Sequence, residues 1–361
     1  DWRRVGLGPA TKTQIQEVAL TLKDDIAWGE PNWKKAWKWA SQELNDTVSL
    51  IRQTGSREWE VLDLVADEAN WPLSQQTLEA MAGTEHSSRQ ALAISLTMYM
   101  RGVLDDNKPV VKQTLQEADE FLHKLTSKST PNSDSFGLYA IFLKNVRREY
   151  DQAEAMYGRA IDADPNHARN LGNYAIFLTD VRREYDRAQA MYERAIDADP
   201  TDADNLGNYA NFLKNVRHDH DRAQAMYERA IDADPNHARN LGNYAIFLTD
   251  VRRDHDRAQA MYERAIDADP NHANNLGNYS QLLFATGRDK TAIALVTRAL
   301  PLAGTDEKPL VAECRFYLFA HSPEHRRESG ENLRDLLAAG VTTGSWSFES
   351  DLEHLRREED P

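Results

Sequence analysis

The sequence predicts an all-α protein built from stacked helix pairs, and internal repetition carries this prediction. Residues 166–200 and 236–270 are identical at 33 of 35 positions. A proline recurs every 35 residues, at Pro165, Pro200, Pro235 and Pro270. A repeat of this length marks an array whose units bury their apolar faces only against their neighbours.

Each repeat is predicted to form two helices. In the second repeat (166–200) the first helix carries apolar or small residues at i, i+3, i+4 and i+7, which are Leu171, Tyr174, Ala175 and Leu178. The second helix has the corresponding stripe at Ala188, Tyr192 and Ala195. This spacing is typical of one buried helix face. The following Pro200 ends the pair, because proline cannot continue a helix.

These eight positions resemble the tetratricopeptide repeat, which has large, small and aromatic residues at the same spacing and closes on a proline. The third (201–235) and fourth (236–270) repeats carry the pattern as well, and the first (131–165) carries it from Phe136 to Pro165. The resemblance covers 131–300 and implies an all-α, right-handed α-α superhelix. Repeats one to four depart by one extra residue, which we place in the turn between helices, in stretches such as VRREYD. The fifth repeat, from Leu276 to Ala299, follows the standard spacing.

The flanks differ in composition, and we predict four regions. They are a Trp-rich helical region at 1–86, a degenerate helical hairpin at 87–130, five repeats at 131–300, and a degenerate repeat with a capping helix at 301–361. Helices are expected at 12–26, from Pro31 to Gly55, and at 57–69, 74–82, 87–104, 108–127, 308–320 and 325–338. No alternating strand pattern stands out.

Charge and composition exclude several classes of protein. A net charge of −15 argues against a nucleic-acid binder, which normally has a basic face. No apolar run is long enough to span a membrane. One cysteine, Cys314, cannot form an internal disulfide, so a cytoplasmic location is expected. No nucleophile, phosphate-loop or zinc-protease motif is present, and we expect neither an enzyme nor a cofactor.

Three other features have competing interpretations. The WKKAWKWA helix (33–40) has a tryptophan face and a lysine face, which fits either a membrane surface or packing on its own domain. His220 and His255, with the aspartates beside them at the turns, suggest a metal site or plain surface polarity, and His167, His237 and His272 recur just after the repeat proline. The recurring DADP ends form either an acidic ridge for a basic partner or calcium, or a solvated edge.

The candidate binding residues follow from the resemblance, in which the first helices line a concave groove. One asparagine per repeat falls at a groove position: Asn173, Asn208, Asn243 and Asn278. This row is similar to the asparagine ladder that reads peptide backbones in members of the family. Arg169 and Arg239, one turn earlier, are similar to the carboxylate clamp of chaperone-binding members, whereas Asp204 at the same position is expected to repel a carboxylate.

A glycine precedes each of these asparagines, and it costs about 1 kcal/mol in a helix relative to alanine. The row comprises Gly137, Gly172, Gly207, Gly242 and Gly277. Either a neighbouring helix or a ligand backbone is therefore expected to come close to it.

We interpret the chain as a non-catalytic scaffold that binds a protein or peptide segment in the groove. The alternative is a regulatory or sensor module of a bacterial signalling or defence system, in which the repeats hold the N-terminal helical region. The sequence leaves the oligomeric state open.

Overall fold

The computed structural model describes residues 107–127, 133–303 and 307–342. It also describes short stretches at 10–11, 51–53 and 58–61, and isolated positions in 91–105 and 348–355. The chain divides into two compact parts, Asp1–Ala153 and Glu154–Pro361.

The described residues form 13 α-helices, which follow one another as antiparallel pairs in the second part. They are α1 (Pro109–Thr126), α2 (Ser133–Phe142), α3 (Tyr150–Ala163), α4 (Ala168–Phe177), α5 (Tyr185–Ala198), α6 (Ala203–Phe212), α7 (His220–Ala233), α8 (Ala238–Phe247), α9 (His255–Ala268), α10 (Ala273–Ala285), α11 (Asp289–Ala299), α12 (Lys308–His321) and α13 (Arg326–Ala338). Each first helix from α4 to α10 also contacts the first helix of the next repeat. The predicted all-α solenoid is confirmed.

A π-helical turn accommodates the extra residue of repeats one to four. Each first helix continues into a five-residue π turn, at Leu143–Arg147, Leu178–Arg182, Leu213–Arg217 and Leu248–Arg252. A residue with positive φ (55–59°) follows each turn: Arg148, Arg183, His218 and Arg253. The insertion therefore lies in the last turn of the first helix, slightly before the position that the sequence suggested. A π turn adds one residue without opening a loop.

The fifth repeat provides the comparison within the same chain. It lacks the extra residue, its first helix α10 runs unbroken to Ala285, and the left-handed position is occupied by Gly287 (φ 71°).

The core of the second part is a column of aromatic rings that links each repeat to the next. Tyr157 of α3 stacks on Tyr174 of α4, and Tyr192 of α5 stacks on Tyr209 of α6, both with ring centroids 5.4 Å apart. All four rings are buried. The small residues of the pattern, such as Ala188, are fully buried and let the helices approach. Since these rings belong to different repeats, no repeat completes its core alone.

The N-terminal region contains three short strands, two of which lie where the sequence predicted helix. Ala10–Thr11, Ile51–Gln53 and Glu58–Val61 form an antiparallel sheet, with Glu58–Val61 in the centre. The helix predicted over 57–69 is wrong at 58–61, and the helix from Pro31 to Gly55 is wrong at 51–53. Glu-Trp-Glu-Val alternates in polarity, as strands do, and a four-residue link containing Gly55 suits a hairpin.

The other flanking predictions have mixed outcomes. The helices predicted at 108–127, 308–320 and 325–338 are confirmed as α1, α12 and α13. The predicted helices at 12–26 and 74–82, and the WKKAWKWA segment, lie outside the described residues. The predicted division into four regions stays a prediction.

The left-handed positions generate a prediction about stability. We expect Arg253→Gly to raise the free energy of unfolding by about 1 kcal/mol, because glycine removes the Cβ clash of a positive φ. The opposite change, Gly287→Ala, should lower it by a similar amount. Urea unfolding followed by circular dichroism measures both, and equal midpoints for the two variants would contradict the backbone assignment.

Candidate binding groove

In repeats three to five, one buried asparagine of the first helix links that helix to the preceding repeat, and Asn170 occupies the same position in the second repeat. These buried asparagines are Asn170, Asn205, Asn240 and Asn275, each at most 4% exposed. The Nδ2 groups of Asn205, Asn240 and Asn275 donate to the carbonyl oxygens of the alanines that begin the preceding first helices, at 3.1, 2.8 and 3.0 Å respectively. Because each bond joins the same two positions of neighbouring repeats, these bonds hold those repeats in a constant register.

The glycine row exists because these buried asparagines need space. A Cβ at Gly172, Gly207 or Gly242 would overlap the side-chain oxygen of the buried asparagine of the following repeat. Of the two explanations that the sequence left open, a close neighbouring helix accounts for these three glycines.

A polar network ties the outer ends of neighbouring repeats together. Glu193 of α5 accepts hydrogen bonds from the Tyr209 hydroxyl (2.8 Å), Arg222 Nη2 (3.0 Å) and Gln189 Nε2 (3.0 Å). These donors, Gln189 foremost and then Tyr209, hold the pKa of Glu193 below its usual value. The network recurs one repeat later around Glu228.

The recurring histidines and aspartates have local structural roles. His167, His237 and His272 cap first helices, since each Nδ1 accepts from the backbone N–H three residues later at 3.3–3.4 Å. Asp202 performs the same function in the third repeat at 3.0 Å. The last aspartate of each DADP end accepts the N–H two residues on, which stabilises the turn around the proline.

The groove asparagines, which we define as Asn173, Asn208, Asn243 and Asn278, differ from the buried asparagines. They are half-buried, at equivalent positions of four stacked first helices. None of their side-chain amides hydrogen-bonds to another of the described residues. Each therefore presents donors and an acceptor on the helix face.

The two candidate arginines have different surroundings. Arg169 is exposed and forms no ion pair with the described residues. Arg239 is also exposed, with Nη2 3.6 Å from Asp204 Oδ1, and His237 Nε2 lies 3.3 Å from the same oxygen. Asp204 is thus an ion-pair partner of Arg239. The repulsion of a bound carboxylate by Asp204, which the sequence suggested, stays a prediction.

The structure brings Asn208 and Arg239 together at one depression of about 750 Å³, which we call the central depression. Its apolar lining consists of the side chains of Ile176, Phe212 and Val216. Its polar lining comprises Asn208, Asn211, Asn215, Asp180, Arg183, His218 and Arg239, with Thr179 and two tyrosines. A depression lined by both apolar side chains and several polar groups is typical of a binding site.

The π turns supply much of this lining. Thr179 and Asp180 come from one π turn, and Asn215 and Val216 from the next. Arg183 and His218, whose backbones are in the left-handed conformation, also line the depression. The extra residue of each repeat therefore contributes directly to the candidate site, as π turns often do.

Asn211 and Asn215 are site residues that the sequence reasoning missed. Asn211 occupies the position of Ile176 and Ile246 in the neighbouring repeats, and Asn215 occupies that of Asp180. These differences between otherwise near-identical repeats were a usable signal. The Asn211 Oδ1 accepts from the Tyr227 hydroxyl at 2.6 Å, which fixes the orientation of the amide.

Two other kinds of site are absent from the described part of the chain. It contains no group of three or more metal-ligating side chains placed to hold an ion. None of its helices has the length and apolarity needed to cross a bilayer.

Comparison with known families agrees with this geometry. Models described as tetratricopeptide repeat match residues 146–203, 218–237 and 252–311. This part of the chain is built of tetratricopeptide repeats. Tetratricopeptide repeats bind protein partners, and proteins built on them are typically non-catalytic interaction scaffolds. No curated protein matches the chain in sequence.

Solved structures share the fold. PilF of Pseudomonas aeruginosa aligns with a TM-score of 0.51 and 17% identity, over 63% of this chain and 97% of that one. Yeast Tom70 aligns with a TM-score of 0.50 and 14% identity, over 83% of this chain and 61% of that one. PilW, a type IV pilus biogenesis factor, aligns with a TM-score of 0.48 and 18% identity, over 63% and 98% of the two chains. At these identities the likeness to PilF and Tom70 concerns the solenoid alone.

The asparagine–glycine contact predicts opposite effects for two glycine substitutions. Gly207→Ala should lower the free energy of unfolding by about 2–4 kcal/mol, because the methyl group overpacks the contact and displaces the buried amide of Asn240. The matched control is Gly158→Ala, also within a helix but with nothing within 4 Å of the added methyl. The control should gain about 0.5–1 kcal/mol from helix propensity. Thermal unfolding measures both, and a gain at both sites would contradict the contact.

Proposed function

We propose that this interaction scaffold binds an extended segment of a partner protein along the groove asparagines. The observation that carries the proposal is that these four half-buried amides form no hydrogen bond to the described residues, while the buried asparagines three positions earlier are committed to neighbouring repeats. An amide offers two donors and an acceptor, which match the N–H and C=O groups of an extended backbone.

Helix spacing supports an extended ligand. Packed helices lie about 8–10 Å apart, and an extended or polyproline-like chain rises about 3.1–3.4 Å per residue. One groove asparagine per repeat then meets every third residue of the segment, so four of them span about ten residues.

Each hydrogen bond from a groove asparagine to the backbone of the segment is weak, and the contributions of the four asparagines add. One such hydrogen bond contributes about 0.5–1.5 kcal/mol net, so four contribute about 2–6 kcal/mol. The groove asparagines would therefore supply affinity for an extended chain, whereas selectivity for its sequence must come from other side chains.

We also propose a cytoplasmic location. Cys314 is buried, and burial raises the pKa of its thiol to about 12, so it stays protonated and unreactive. A chain whose single cysteine takes no part in a disulfide suits a reducing compartment.

The test uses a displayed library of random 12-residue peptides selected on the full chain. A variant with Asn173→Ala, Asn208→Ala, Asn243→Ala and Asn278→Ala should bind the selected peptides at least about thirtyfold more weakly, the lower end of the free energy above. Fluorescence anisotropy with synthetic peptides gives the dissociation constants, and circular dichroism checks folding.

The matched control changes three exposed turn asparagines, Asn166, Asn236 and Asn271, to alanine. Their side chains lie outside the first helices, and binding should be unchanged. Equal affinity of the parent and the fourfold variant would refute the proposed role of the groove asparagines.

A further inference from the structure

The lining of the central depression carries one net positive charge within an acidic chain. Its lining contains the guanidinium groups of Arg183 and Arg239 and a single carboxylate, Asp180, whereas the whole chain carries a net charge of −15. An anionic ligand group suits this depression, whereas the acidic chain as a whole attracts cations.

Neither arginine is fully committed to a partner. Arg183 is exposed and forms no ion pair with any residue that the structure describes. The Arg239 guanidinium is 3.6 Å from Asp204 Oδ1, longer than the usual 2.7–2.9 Å of a charge-assisted hydrogen bond, and both side chains are 60% exposed. Such an exposed pair stabilises little, so it competes weakly with a bound anion.

Three amides add donors to the lining of the central depression. Asn208, Asn211 and Asn215 lie on one face of α6 and its π turn, at i, i+3 and i+7. The oxygen of Asn211 already accepts from Tyr227, so its Nδ2 group is the part left for a ligand. A carboxylate has two oxygens that accept about four hydrogen bonds, and it satisfies several of these donors at once.

Resting on the proposed groove function, we infer that the central depression selects an acidic side chain, Asp or Glu, of the bound segment. The carboxylate lies between Arg183 and Arg239 and accepts from the amides. A basic side chain would face both guanidinium groups and is excluded. Neighbouring repeats have isoleucine at the position of Asn211, so among the described repeats only the third has all three amides. The acidic residue is therefore expected at a single position of the bound segment.

The test uses the selected 12-residue peptides. They should share Asp or Glu at one fixed position, and synthetic peptides with the corresponding amide there should bind the parent chain about tenfold more weakly. In a variant with Arg183→Gln and Arg239→Gln this difference between acid and amide peptides should fall below about twofold, because the charges that read the carboxylate are gone.

The matched control variant carries Arg148→Gln and Arg253→Gln. Both residues have the same left-handed conformation as Arg183, and neither lines the central depression. The tenfold preference should persist in the control. A third variant, Asp204→Asn, should bind the acidic peptides about two- to threefold more tightly, since it frees Arg239.

The outcomes separate the inference from the proposed function. Selected peptides that depend on the groove asparagines but share no acidic position would overturn the inference alone. The same holds if the acid preference survives Arg183→Gln with Arg239→Gln, or is lost in the control. A selection that yields no peptide, or peptides indifferent to the groove asparagines, would overturn the proposed function and this inference with it.

Discussion

The hydrogen bond from a buried asparagine to the first carbonyl of the preceding helix is the constraint on which the array depends. It forms only where a glycine of the preceding helix leaves room for the amide, so the two residues must recur together in successive repeats. Burying an amide without partners costs about 1–3 kcal/mol. The glycine costs about 1 kcal/mol of helix propensity, and in return the buried amide is satisfied at the three junctions between the second and fifth repeats.

This constraint shapes the groove as well as the core. Because the buried asparagines hold neighbouring first helices at close approach and in register, the residues three positions later form a regular row of amides that have no hydrogen bond to the described residues. The aromatic stacking of Tyr192 on Tyr209 secures the same junction from the side of the second helices. The π turns that follow the first helices then place variable residues beside this row. Rigid repetition thus supplies a backbone-reading surface, and substitutions such as Asn211 add selectivity at one place.

Much of the fold could be predicted from the sequence, because periodicity of the core residues and prolines defines helix pairs directly. The sequence could not distinguish the two asparagines of each repeat, since their roles depend on contacts across 37 residues, as between Asn205 and Ala168. It also did not show that the extra residue becomes a π turn, whose hydrogen bonds resemble those of the helix it extends. The strand at Glu58–Val61 was missed because four residues give a weak signal beside the tryptophan-rich helical pattern.

The most direct measurement of this account is a double-mutant cycle on Gly242 and Asn275, with urea unfolding of the full chain as the readout. Gly242→Ala and Asn275→Ala should each destabilise the protein. The double variant should lose about 1–2 kcal/mol less than the sum, because removal of the asparagine amide makes room for the added methyl group. Additive losses, equal to the sum within about 0.5 kcal/mol, would mean that the two residues do not form the contact that sets the repeat stacking.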